Sequence, residues 1–199
     1  GDKPAFLVKH KGKEGYQPVL YKKFKQDVDA LGTALINLGL KGKKIAIIGE
    51  NRYEWSVSYL ATVNGTGIVV PLDKELPINE IENLLIRAKT SAVIFSGSLL
   101  KHISDISKRL DFIEFFINMD AGESEEKFLS HSQLVAKGSE LLKNGDTSFT
   151  ASEIENDVLA SLLFTSGTTD KSKAVMLSHK NISSNLMAMC SMTYIDDKD

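Results

Sequence analysis

The chain has 199 residues, of which 42% are hydrophobic and 25% are charged, a composition typical of a globular protein with a buried core and not of a disordered one. Its formal net charge of −2 gives no electrostatic reason to expect nucleic acid as a partner. A single cysteine, Cys190, excludes an internal disulfide and a cysteine-based metal cluster.

The N-terminal residues predict a β-hairpin. Short apolar stretches at 5–8 and 17–21 flank Gly12 and Gly15, which suit a turn. Residues 1–4 lack the basic-then-apolar pattern of a secretory signal, and no apolar run is long enough to span a membrane. We therefore expect a cytoplasmic protein without a transmembrane segment.

Helical and extended segments alternate after this hairpin. Apolar residues from Phe24 to Leu38 step by four and three, which predicts a helix that ends before Gly39. The β-branched run 45–48 is typical of a strand that is buried on both faces. Asn51 and Glu54 resemble a capping box at the start of the next helix.

The same unit then repeats along the chain. Residues 68–72, 91–96 and 112–118 predict strands, while 79–88 and 99–110 predict helices, the first of them capped by Asn79 and Glu82. Strands alternating with helices imply crossover connections. The expected fold is thus α/β, with a mainly parallel sheet flanked by helices. The pattern is weak from 121 to 157, where Leu134, Leu141 and Leu142 indicate a modest helix.

A hydroxyl-rich loop follows the apolar run 158–164, and a second extended segment follows the loop. We call residues 165–173 the phosphate loop; in order they are Thr165, Ser166, Gly167, Thr168, Thr169, Asp170, Lys171, Ser172 and Lys173. Hydroxyl groups, a glycine that admits close backbone approach and lysine charges are what phosphate oxygens bind. A polar surface turn between two strands is the alternative, because these residue types are also common in turns. The spacing is not that of a Walker loop or a dinucleotide fingerprint.

The remaining candidates favour structural roles. The four histidines lack ligand spacing, and His179 suits packing at the start of a helix from Ser178 or Asn181. Glu123, Glu125 and Glu126 suit a solvated loop. Cys190 lies among methionines, so we predict a buried, unreactive thiol.

The phosphate loop, together with Val175, Met176, Leu177, Ser178, His179 and Asn181, resembles the signature of the adenylate-forming (AMP-binding) enzyme superfamily. That pattern is roughly Thr-Ser-Gly-Thr-Thr-Gly-x-Pro-Lys-Gly-Val, followed by Ser/Thr-His-x-Asn. Residues 21–73 resemble the family's N-terminal half, and Glu50, Asn51, Arg52, Glu54 and Trp55 are most similar to long-chain fatty acyl-CoA synthetases.

The resemblance implies a role for each matching residue. Thr165 would bind Mg²⁺, while Ser166, Gly167, Thr168 and Thr169 would bind the β- and γ-phosphates of ATP and Lys173 would reach the terminal phosphates. Three positions depart from the pattern: Asp170 and Ala174 replace glycines, and Ser172 replaces proline. Asp170 would set a carboxylate beside polyphosphate, where like charges repel.

The resemblance also implies an activity. We expect an acid–thiol ligase that uses ATP, Mg²⁺ and CoA to activate a carboxylic, specifically a fatty, acid. Residues 1–199 would be the N-terminal part of the AMP-binding large domain, with no catalytic residue within them and no activity alone. The alternatives are a scaffold with weak or no ATP binding that serves as an interaction domain, and an adenylation domain that loads a carrier protein. The sequence is compatible with a homodimer.

Overall fold

The N-terminal hairpin is present as predicted. A computed structural model describes residues 1–9, 14–165 and 172–193 of the chain. In it β1 (Pro4–Val8) and β2 (Gln17–Leu20) pair in antiparallel fashion. Phe6 of β1 packs edge-on against Phe24 and Tyr53, which joins the hairpin to the main body.

The main sheet is largely parallel, which confirms the predicted α/β fold. Within the described ranges its strand order is β7-β6-β5-β3-β4-β8-β9. The strands are β3 (Lys44–Ile48), β4 (Ile68–Leu72), β5 (Ala92–Phe95), β6 (Phe115–Asn118), β7 (Phe128–Ser130), β8 (Leu159–Thr165) and β9 (Lys173–Ser178). Only β9, at the edge, runs antiparallel to its neighbour among these pairs.

Helices cover both faces of this sheet. The α-helices of the described ranges are α1 (Tyr21–Asn37), α2 (Tyr53–Ala61), α3 (Ile78–Ala88), α4 (Leu100–Ser107), α5 (His131–Lys143) and α6 (His179–Met192), of which the first five contribute to the cores. The chain steps from β3 outward to β4 and then crosses back over β3 to β5. Because crossover connections are right-handed, this reversal moves the helices to the opposite face. Accordingly α1, α2 and α5 contribute to one core, and α3 and α4 to the other.

Strand β3 lies between the two cores, as its β-branched sequence predicts. Ile45 and Ile47 belong to the core under α1, α2 and α5, whereas Ala46 and Ile48 belong to the core under α3 and α4. All four are fully buried. In the part of the chain that the structure describes, no helix is both long and apolar enough to cross a membrane.

Two predicted helix caps are wrong. Helix α2 begins after Arg52 and α3 after Pro77, in both cases without a capping side chain. The carboxylates expected to complete these caps bind arginines instead: Glu54 accepts a hydrogen bond from Arg52 at 2.6 Å, and Glu82 accepts two from Arg109 at 2.8 and 2.6 Å. Gly39 follows α1 with φ of +82°, which confirms the predicted glycine terminus.

The weakly patterned region contains more structure than predicted. Residues 128–130 form β7, and α5 is a thirteen-residue helix that packs across α1. Gly138 makes this crossing close, because a Cβ added there would lie 1.7 Å from the carbonyl oxygen of Ala30. The backbones of the two helices therefore approach too closely for any side chain at this position.

The substitution Gly138→Ala should lower the free energy of unfolding by about 1–3 kcal/mol, because α1 and α5 must separate to admit the methyl group. Urea unfolding followed by circular dichroism measures the change. Gly122→Ala is the matched control, since no atom of the residues that the structure describes lies within 4 Å of a Cβ there. Equal midpoints for both variants would contradict the close crossing.

A buried histidine begins α5. His131 follows the cap Ser130, whose hydroxyl accepts a hydrogen bond from the Gln133 N–H at 3.3 Å. Only 4% of His131 is exposed, and its Nε2 atom has no hydrogen-bond partner among the described residues. Burial lowers the pKa of His131 to about 4, although the nearby carboxylates of Glu54 and Asp27 oppose this effect.

Stability should therefore fall as the pH drops from about 6.5 to about 4. In this window the unfolded chain binds a proton at His131 and the folded chain does not, so neutral His131 supports folding fully only above about 6.5. The loss amounts to about 3 kcal/mol at the low end. His131→Gln should remove this part of the pH dependence of urea unfolding, whereas His102→Gln, at an exposed position, should not. Parallel pH profiles for the wild type and His131→Gln would contradict the assignment.

Candidate functional site

Polar residues collect at the carboxyl ends of the parallel strands. This edge is where open α/β sheets bind ligands, above all where neighbouring strands send their connections to opposite faces. Here those neighbours are β3 and β5, followed by Glu50 and by Ser96 and Ser98. The Glu50 carboxylate accepts hydrogen bonds from both serine hydroxyls and lies 3.8 Å from the Lys74 ammonium. The Ser96 hydrogen bond is the main cause of a lowered pKa at Glu50.

An arginine links the same edge to β6. Arg52 donates to Glu54 and, at 2.7 Å, to Asp120, and the second oxygen of Asp120 accepts the Gly97 N–H at 2.7 Å. Partial burial acts to raise the pKa of Asp120, but the hydrogen bonds from Arg52 and from the Gly97 N–H, together with the charge of Arg52, outweigh burial, and the pKa is lowered.

This polar edge is internally paired. Each carboxylate of Glu50, Glu54 and Asp120 contacts a cation, and the residues that the structure describes include no group of three or more histidine, cysteine or acidic side chains that could hold a metal ion. The arrangement ties the β3, β5 and β6 connections together.

The two ends of the phosphate loop lie opposite each other. Thr165 is the last residue of β8, Lys173 is the first residue of β9, and the two are paired across the antiparallel ladder. Directly opposed residues project from the same face of a sheet. Both are exposed, so a hydroxyl and an ammonium are available on one face. Ser166, Gly167, Thr168 and Thr169, the other predicted phosphate-binding residues, lie outside the described residues.

The exit of the phosphate loop contacts α3. Ser172 is hydrogen-bonded to Arg87 and Glu80, both of which belong to that helix. Sequence analysis missed these two residues because they lie 85 and 92 positions away from Ser172. Their spacing of seven places them on one helix face, but charged residues on a helix are ordinarily solvated, so the pattern alone gave no signal.

The segment after β9 begins a helix as predicted. The Ser178 hydroxyl accepts the Asn181 N–H at 3.2 Å, and the Asn181 side chain accepts the Ser178 N–H at 3.0 Å. This reciprocal pair is a capping box. His179 is the first residue of α6 and half-buried, and burial lowers its pKa.

The predicted burial of Cys190 is wrong. Cys190 is exposed, as are the apolar side chains of α6 after Ile182, with Met187 73% and Met192 87% exposed. No residue of α6 is buried. The helical pattern is correct, but no other described segment lies against its apolar face.

Comparison with known proteins identifies the family. The family model described as AMP-binding enzyme matches residues 1–199. Fatty acyl-CoA synthetase B of Dictyostelium discoideum is 25% identical over 213 residues, which cover 100% of this chain and 31% of that protein. Fatty acyl-CoA synthetase A of the same organism is 30% identical over 181 residues, which cover 88% of this chain and 27% of that protein.

A solved structure agrees with these matches. ATP-bound MatB from Rhodopseudomonas palustris superimposes with a TM-score of 0.70 at 26% identity, over 88% of this chain and 33% of that one. The chain thus spans about a third of the length of the relatives it matches. Its α/β fold, its phosphate-loop sequence and the match over its whole length agree: the chain belongs to the AMP-binding, adenylate-forming enzyme family.

Proposed function

We propose that the protein containing this chain is an ATP-dependent acyl-CoA synthetase that acts on a fatty acid. The observation that carries the proposal is the phosphate-loop sequence, bounded by Thr165 and Lys173 on a common exposed face. Two relatives are named fatty acyl-CoA synthetases, which supports a fatty acid as the acid and CoA as the acceptor.

The reaction has two steps. A carboxylate oxygen attacks the α-phosphorus of ATP, so that an acyl-adenylate forms and pyrophosphate leaves. The CoA thiol then loses its proton to solvent and attacks the acyl carbonyl, and AMP leaves with the electron pair of the broken acyl–oxygen bond as the thioester forms.

The described loop ends suit the first step. The charge of Lys173 would stabilise the β- and γ-phosphates, whose negative charge grows as pyrophosphate departs. The Thr165 hydroxyl is a hard oxygen ligand of the kind that Mg²⁺ prefers, and bound Mg²⁺ would neutralise polyphosphate charge. Ser166, Gly167, Thr168 and Thr169 would supply further donors. These roles, and the use of Mg²⁺ and CoA, stay proposals.

The extent of the domain is a further part of the proposal. We infer that residues 1–199 form the N-terminal part of the AMP-binding large domain. The share of the relatives that the chain spans and the uncovered apolar face of α6 support this inference. The catalytic residues would then lie in other parts of the protein, and this chain alone would be inactive. A cytoplasmic location and a homodimer stay predictions.

In the full-length protein, Lys173→Ala should raise the KM for ATP about tenfold or more in ATP–pyrophosphate exchange, because a charge-assisted phosphate contact is lost. The assay is run across a series of fatty acids of different length. Lys180→Ala, which removes another exposed lysine shortly after the phosphate loop, is the control and should leave the KM unchanged. The absence of exchange with every acid in the wild type would overturn the proposed activity.

Asp170 favours the second candidate function, a scaffold with weak or no ATP binding that serves as an interaction domain. A carboxylate beside polyphosphate costs about 1–4 kcal/mol at a few ångströms, depending on the effective dielectric. Asp170→Gly should therefore tighten MgATP binding by about fivefold or more, as measured by calorimetry on the full-length protein. Micromolar binding that is the same in both forms would argue against the scaffold.

The acceptor separates the proposed synthetase from an adenylation domain that loads a carrier protein. Mass spectrometry of the products formed with CoA and with a phosphopantetheinylated carrier protein distinguishes the two. Formation of acyl-CoA supports the synthetase.

A further inference from the structure

Helix α3 holds the exit of the phosphate loop through two polar contacts. The Nη2 atom of Arg87 donates a hydrogen bond to the carbonyl oxygen of Ser172 at 2.7 Å. The Ser172 hydroxyl donates to the Oε1 atom of Glu80 at 3.2 Å. Both the backbone and the side chain of the residue before Lys173 are therefore bound by one helix.

Arg87 also contacts the entrance of the loop. Its guanidinium carbon lies 5.3 Å from the centroid of the Phe164 ring, within the range of a cation–π interaction. Phe164 immediately precedes Thr165, and Ser172 immediately precedes Lys173. A single side chain thus touches the residues that adjoin both predicted ligand-binding ends. We call these interactions of Arg87 and Glu80 with Ser172 and Phe164 the α3 contacts.

The α3 contacts leave the ligand-binding face free. Phe164 and Leu162 of β8 pack against the core that α3 helps to form. Because successive side chains of a strand alternate between its faces, Thr165 projects from the face opposite Phe164. Lys173, paired with Thr165, shares that opposite face. A phosphate bound by Thr165 and Lys173 would therefore not compete with Arg87 for space.

The helix that makes these contacts is itself well anchored. Ile81, Leu84, Leu85 and Ala88 are each at most 1% exposed, and Glu82 of α3 forms a salt bridge with Arg109 at 2.6 Å. Strand β9, by contrast, lies at the edge of the sheet, and its first four residues are exposed. The α3 contacts thus tie the start of an edge strand to a rigid helix.

We propose that Arg87 and Glu80 are positioning residues that hold the backbone at Ser172 and thereby place the Lys173 ammonium for the terminal phosphates of ATP. This inference rests on the proposed function and adds two residues to it. Ser172 stands where the family pattern has proline, a residue whose ring restricts its own backbone. The α3 contacts supply a comparable restraint through hydrogen bonds.

The experiment compares binding of MgATP and of AMP to the full-length protein by calorimetry, for the wild type, Arg87→Ala, Arg87→Lys and Ser172→Ala. AMP lacks the phosphates that Lys173 would reach, so displacement of the Lys173 ammonium should weaken the binding of MgATP and leave the binding of AMP unchanged. We expect Arg87→Ala to weaken MgATP binding about 3- to 10-fold and AMP binding less than twofold, in line with loss of a hydrogen bond from a charged donor. Arg87→Lys should restore part of the loss, and Ser172→Ala should weaken MgATP binding by about twofold.

Arg109→Ala is the matched control. It removes a surface arginine that is also bound to α3, through Glu82, but that has no contact with Ser172 or Phe164 among the described interactions. MgATP and AMP binding should be unchanged in this variant. If Arg87→Ala lowers the melting temperature, the comparison of MgATP with AMP binding is made on Ser172→Ala instead.

The outcomes separate the inference from the proposed function. Suppose that the wild type binds MgATP. If Arg87→Ala then binds MgATP and AMP as tightly as the wild type, or binds both more weakly to the same extent, the positioning role is overturned and the proposed function stays intact. A wild-type protein that binds no MgATP would overturn both. Weaker binding of MgATP but not of AMP in Arg87→Ala and Ser172→Ala, with no change in Arg109→Ala, would support the inference.

Discussion

Burial of a parallel sheet on both faces is the constraint on which the rest of this structure depends. Both faces of β3 are apolar and buried, since the side chains of Ile45 and Ile47 lie in one core and those of Ala46 and Ile48 lie in the other. Two helical layers are then required, and right-handed crossovers produce them only if the chain reverses its direction across the sheet. The reversal at β3 meets this requirement.

The parallel arrangement also decides where polar chemistry can collect. The connections after β3, β4, β5 and β6 all leave from one edge, where Arg52 pairs with Asp120 and Lys74 pairs with Glu50. A network that satisfies its own members stabilises the edge. The exposed Thr165 hydroxyl and Lys173 ammonium lie elsewhere, where β8 and β9, the one antiparallel pair among the described strands of the main sheet, bring the two loop ends together.

Local patterns predicted the elements well and their ends less well. The hairpin, the termination of α1 at Gly39 and the start of a helix at Ser178 depend on neighbouring residues, and all three are confirmed. The caps expected at Asn51 and Asn79 are wrong: the helices begin after Arg52 and Pro77, and the carboxylates that the caps required bind the neighbouring Arg52 and the distant Arg109. The burial expected of Cys190 failed because amphipathic periodicity shows which face of a helix is apolar, but not whether another segment covers it.

The sequence by itself determined the α/β class, the family and the residues of the phosphate loop, because hydrophobic periodicity and a contiguous motif are local properties of the chain. Only the tertiary structure decided that Thr165 and Lys173 share a face, that Gly138 sits against Ala30 and that Arg87 and Glu80 hold Ser172. These are contacts between residues far apart in sequence. Their partners are selected by strand order and helix packing, which no local pattern specifies.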